Sequence, residues 1–114
     1  HVLLLNSGHC FSNQVVEACP ELSRRGGETQ QGNSLETIRN MVASGLGVTV
    51  LPCSATGEKY RNRLLKVLPF TQPPPSRRVA LAWRSSFSRD KAIQALAAAV
   101  QAAKLPCLEM LRAN

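Results

Sequence analysis

Four cysteines, at positions 10, 19, 53 and 107, are the residues of this chain best suited to do chemistry. A thiolate attacks peroxides and disulfides and ligates metals, and its neighbours and redox compartment decide which of these it does. An even count in a short chain is compatible with a disulfide scaffold, but that reading needs an extracellular setting, of which the sequence gives no sign. There is no Cys-x-x-Cys and no paired Cys/His pattern at metal-ligand spacing, so neither a metal site nor a cofactor is expected. One or two reactive thiols in a cytoplasmic protein fit better, and for Cys10 and Cys19 the alternative is a pair of small inert core residues. Cys53 directly follows Pro52 and Cys107 directly follows Pro106, and both read as structural or incidental rather than redox-active.

The elements that must position these residues follow from periodicity and punctuation. Val2–Leu5 is a short apolar run ended by Asn6-Ser7-Gly8, the pattern of a buried strand entering a turn. From about Cys10 to Cys19, apolar Phe11, Val15, Val16 and Ala18 suit a helix with one buried stripe, stopped by Pro20. Residues 21–33 are polar, contain Gly26-Gly27 and read as loop, with a brief strand possible at Glu28–Gln31. Asn33 or Ser34 then caps a helix, Asn33 having Glu36 three residues on as in a capping box. Leu35, Ile38, Met41 and Val42 share one face of that helix, and Gly45 stands where a left-handed residue is wanted. Gly47–Leu51 reads as a buried, β-branched strand closed by Pro52 and covered on both faces. Ser54–Tyr60 suits a helical turn, and Leu64–Phe70 and Val79–Trp83 suit two more strands separated by a Pro73-Pro74-Pro75 linker. Asp90 caps an Ala-rich helix expected to run to about Met110, bent or interrupted near Pro106.

At 114 residues with a net charge of +7, the chain is large enough for one small α/β domain and carries a marked basic excess. Its Lys and Arg are scattered in pairs and short clusters, with no RNA-binding motif and no helix-turn-helix, so the charge by itself is weak support for direct nucleic-acid binding. No apolar run is long enough to span a bilayer, so no membrane partner is expected. The apolar start lacks the flanks of a signal peptide, and a chain that begins with His1 rather than Met reads as a fragment.

The run from Ser34 to Pro52, Ser-Leu-Glu-Thr-Ile-Arg-Asn-Met-Val-Ala-Ser-Gly-Leu-Gly-Val-Thr-Val-Leu-Pro, resembles the helix–Gly–strand segment of LysR-type effector domains. Gly8-His9-Cys10, with Cys19 nine residues beyond Cys10, resembles the peroxide-sensing OxyR branch of that family. The Val79–Arg84 segment and the helix after it resemble the family's return strand and last helix. The resemblance implies a periplasmic-binding-protein-like α/β domain, in which residues 1–75 form the second subdomain and residues 76–114 return to the first. It implies a transcription regulator rather than an enzyme, cytoplasmic, responsive to hydrogen peroxide and a homodimer or tetramer. Promoter DNA and RNA polymerase would be partners only of a full-length protein bearing an upstream DNA-binding domain.

By the same resemblance Cys10 is the sensing thiol and Cys19 its disulfide partner. At the first turn of a helix, Cys10 would have its thiolate favoured by the dipole, and His9 could add a donor or a positive neighbour. Nine residues of continuous helix separate two Cα atoms by roughly 13 Å and half a turn. A disulfide needs about 4.4–6.8 Å, so oxidation must unwind or displace residues 11–18. Asn13 and Arg84 are supporting candidates for the peroxide site, Arg84 being equally suited to a salt bridge between subdomains. Ser34 and Thr37 are possible effector contacts at a helix N-terminus, with capping the simpler task for Ser34. The branch usually continues after the sensing cysteine as Cys-Leu-Arg-Asp, whereas this chain has Cys10-Phe11-Ser12-Asn13. Ser12 lacks the charge and Asn13 cannot act as a carboxylate base, which predicts a slower or differently arranged reaction with peroxide. Three other readings compete with the sensor. They are a LysR-type effector domain binding a small metabolite without thiol chemistry, a thiol peroxidase or reductase, and a truncated product with no independent function.

Overall fold

The computed structural model describes residues 2–6, 9–21 and 30–111. The chain divides into two compact units, His1–Arg77 and Arg78–Asn114.

The first unit is built on a short parallel pair. Strand β1 (Leu3–Leu5) lies beside β2 (Gln30–Gly32) in the register Leu3 to Gln30, Leu4 to Gln31 and Leu5 to Gly32. The ladder runs one bond further, from the Asn6 amide to the Gly32 carbonyl at 2.9 Å. Between the two strands stands helix α1 (Cys10–Ala18), and after β2 comes helix α2 (Leu35–Ala43). Both helices pack on β1. Alternation along β1 sends Leu3 and Leu5 into the core with Ile38 of α2, and Phe11, Leu35, Met41 and Val42 close around them. Leu3 and Ile38 are fully buried, at 0% and 1% exposure. Gly32 allows this approach, because a Cβ there would stand 2.8 Å from Ile38 Cγ1.

Helix α2 starts and stops where its sequence says it should. Ser34 is the N-cap, its Oγ accepting from the Thr37 amide at 3.1 Å. The cap is thus Ser34 rather than an Asn33–Glu36 capping box, although Asn33 joins in by accepting from the Thr37 hydroxyl at 3.1 Å. Gly45 has φ +84°, the left-handed stop that a side chain resists.

Three expected strands are absent from the described residues. At 47–51 there is a single parallel bridge, Val2 to Val48, with the Leu3 amide donating to the Val48 carbonyl at 2.9 Å. The Leu3 carbonyl accepts from the Thr49 hydroxyl at 2.7 Å, so a side chain takes up the bonding that a further backbone rung would have made. Val48 is 62% exposed, which overturns the expectation of a strand covered on both faces. Residues 64–70 and 79–83 have extended or irregular backbone without strand pairing, and Leu64, Leu68 and Val79 are largely exposed. An apolar run becomes a strand only when a neighbouring edge accepts its backbone bonds, and neither run has one among the described residues. The smaller expectations stand closer to the structure. The brief strand expected at Glu28–Gln31 lies at Gln30–Gly32, and Ser54–Tyr60 forms two 3-10 turns, Cys53–Ala55 and Glu58–Tyr60.

In the second unit helix α3 covers Asp90–Ala102, with Arg89 at the N-cap and Asp90 as its first residue. It stops short of Met110, and Pro106 explains why. A proline ring clashes with the carbonyl four residues earlier and provides no N–H to bond it, which sets the last helical turn at Ala102.

Candidate thiol site on the first helix

Both ends of α1 carry a cysteine. Cys10 is its first residue and is exposed, and Cys19 is its C-cap and half-buried; both are free thiols. The Cys19 amide donates back to the Val15 carbonyl at 2.9 Å, so the helix is intact up to the second thiol. Two cysteines at the ends of an unbroken nine-residue helix stand roughly 13 Å apart along the axis, beyond disulfide reach.

His9 occupies the N-cap with extended backbone but its side chain makes no capping bond, and the first turn holds no acidic residue. The His9 carbonyl accepts from the Ser12 amide at 3.1 Å and its own amide donates to the Asn6 carbonyl at 3.3 Å, which ties the entry of α1 to the end of β1. Asn13 lies one turn beyond Cys10 on the same side of the helix and is exposed. His9, Cys10 and Asn13 are therefore brought to one end of one element. Gly8, and the Gly26-Gly27 pair of the expected loop, lie outside the described residues. Arg84 belongs to the second unit, where its carbonyl accepts from the Phe87 amide at 2.9 Å.

Ser34 and Thr37 are engaged with each other: their hydroxyls are 2.9 Å apart, in addition to the cap bond. Further along α2, Arg39 donates to the Ala55 carbonyl at 2.9 Å, and its guanidinium lies 4.1 Å from the centre of the Tyr60 ring. This strut borders an open cleft of about 310 Å³ beside the 3-10 turns, lined also by Leu51, Asn62 and Leu65. Among the described residues no cluster of metal-ligating side chains occurs, and no helix is long and apolar enough to cross a membrane.

The partner of two residues of this helix escaped sequence reasoning. Gln14 and Phe11, one turn apart on α1, share a single partner in Arg77. Its Nη1 donates to Gln14 Oε1 at 3.3 Å and its guanidinium lies 4.9 Å from the Phe11 ring centre. In the sequence Arg77 is half of one of two adjacent basic pairs, and nothing in that pair signals a partner 63 positions away.

Comparison with known proteins identifies the class. Residues 1–104 match the LysR substrate binding domain family, and the chain belongs to that family. Its fold is accordingly the family's periplasmic-binding-protein-like α/β type, of which β1–α1–β2–α2 is a part. Among curated relatives, a probable hydrogen peroxide-inducible genes activator from Streptomyces viridosporus is 39% identical over 105 residues, covering 90% of this chain and 34% of that protein. The hydrogen peroxide-inducible genes activator of Haemophilus influenzae is 34% identical, with 87% and 33% covered. The DNA-binding transcriptional dual regulator OxyR of Escherichia coli K12 is also 34% identical, with 89% and 33% covered. The chain thus spans about a third of the length of these relatives. No solved structure gives a significant match.

Proposed function

We propose that this chain is the redox-sensing part of the regulatory domain of a LysR-type transcription activator. In this reading hydrogen peroxide oxidises Cys10, Cys19 resolves the product to a disulfide, and the rearrangement of α1 changes transcription. The observation that carries the reading is the pair of free thiols at the two ends of an intact helix whose N-terminus has no side-chain cap. Such a helix keeps the thiols apart when reduced and must open before they can join, so a chemical event becomes a change of shape. The relatives named as hydrogen peroxide-inducible genes activators support the choice of oxidant.

His9 and Asn13 stand beside Cys10 as donors for peroxide, and Arg84 is the candidate from the second unit. Residues 76–114 correspond in this reading to the return into the first subdomain. Assembly as a homodimer or tetramer, and action on promoter DNA and RNA polymerase, would belong to the whole protein, in the cytoplasm.

The test is thiol-trapping mass spectrometry after stoichiometric hydrogen peroxide. The expected result is a Cys10–Cys19 disulfide that forms rapidly and is lost when either cysteine is replaced by serine, while Cys53 and Cys107 stay as they are. Two persistently free thiols in the folded protein would instead favour an effector domain that binds a small metabolite, with Ser34 and Thr37 as its contacts.

A further inference from the structure

We propose that Arg77 is a latch on α1, a positioning residue that sets how readily Cys10 and Cys19 come together once Cys10 has been oxidised. The proposal rests on the switch reading above and adds a control point to it. A single guanidinium engages two side chains of α1, stacking on Phe11 and donating to Gln14. Residues three apart share a helix face only while the turn between them is formed. Unwinding 11–18 moves Phe11 away from Gln14, so Arg77 cannot keep both contacts in the opened state. Phe11 is also packed against the Leu3, Leu5 and Ile38 cluster, which fixes the ring that Arg77 covers. With no side-chain cap at its N-terminus, α1 has in Arg77 a hold supplied by a residue distant in sequence.

The two chemical steps separate what the latch controls from what it does not. In the first, the Cys10 thiolate attacks one oxygen of hydrogen peroxide, the O–O bond breaks and hydroxide leaves. Sulfur is thereby oxidised by two electrons to a sulfenic acid and peroxide is reduced. In the second, the Cys19 thiolate attacks that sulfur, an S–S bond forms, the S–O bond breaks and the oxygen takes a proton and leaves as water. Only the second step requires α1 to open. Arg77 therefore restrains disulfide closure and leaves sulfenic acid formation alone.

The experiment compares the protein with Arg77→Ala, Arg77→Lys and Gln14→Ala after rapid mixing with hydrogen peroxide. Dimedone trapping reads the sulfenic acid, quenched mass spectrometry reads the disulfide, and amide hydrogen exchange of the reduced proteins reads α1. Arg77→Ala is expected to leave the first rate unchanged and to raise the closure rate roughly three- to tenfold, as befits one exposed stacking contact and one hydrogen bond. Arg77→Lys, which keeps the charge without the planar fork, should fall between, and Gln14→Ala should add little on top of Arg77→Ala. Exchange in Arg77→Ala should quicken in α1 and not in α2. Equal closure rates with equal exchange would overturn the latch. So would slower sulfenic acid formation with unchanged exchange, which would place Arg77 at the thiolate instead. Should no variant form the Cys10–Cys19 disulfide, the switch reading fails, and exchange in α1 still decides whether Arg77 holds the helix.

Discussion

Helices α1 and α2 are the same length, nine residues each, and each has one buried residue, Val15 in the first and Ile38 in the second. They differ in how they are finished. Helix α2 has a Ser34 cap supported by Thr37 and Asn33 and a Gly45 stop in the left-handed region, and the Ser44 hydroxyl bonds the Asn40 carbonyl at 2.9 Å. Helix α1 has no side-chain cap, no acidic residue in its first turn and no basic residue in its last, and its exposed flank is held by Arg77. Isolated nine-residue helices are marginal in water, so each of these two depends on its ends and on packing. Among the described residues, the helix with thiols at its ends is the one without a side-chain cap or a glycine stop. A segment meant to unwind on oxidation has to come from the weakly held end of the stability range, while its neighbour keeps the core in place.

The sharpest way to break this comparison is through the two anchors. Ile38→Ala should cost about 2–5 kcal/mol of unfolding free energy, because it empties a site in the central cluster. Val15→Ala should cost less and loosen mainly α1. Denaturant titrations of the two variants check this, and equal losses would show that α1 belongs to the same cooperative unit as α2. A smaller effect is expected from Ser34→Ala, about 1 kcal/mol through the lost cap. Hydrogen exchange should place that loss in α2 and leave the rate of Cys10–Cys19 closure unaltered. Smallest is the reverse experiment on α1. Asn13 is exposed in mid-helix, and Asn13→Ala should stabilise the helix by about 0.5 kcal/mol and slow disulfide closure roughly twofold. Sulfenic acid formation should slow as well in that variant, because it removes a proposed donor for peroxide, and an unchanged rate would take Asn13 out of that role.

The sequence by itself determined the helices of the first unit. The apolar stripe from Phe11 to Val16 with Pro20 beyond it marks α1, and Ser34, the Leu35–Val42 face and Gly45 mark α2 from cap to stop. These signals are legible because a helix makes its backbone bonds within its own segment, so local residues decide where it begins and ends. Even the thiol spacing is of this kind, since nine residues of helix fix the separation of Cys10 and Cys19 whatever surrounds them.

What only the tertiary structure decided is everything that needs a distant partner. The apolar runs at 47–51, 64–70 and 79–83 look alike in sequence. Yet among the described residues only Val48 reaches another edge, because strand bonds are made to a neighbour that the run itself does not contain. The grip of Arg77 on Phe11 and Gln14 is of the same kind. The sequence names these residues, but only the fold sets which of them meet.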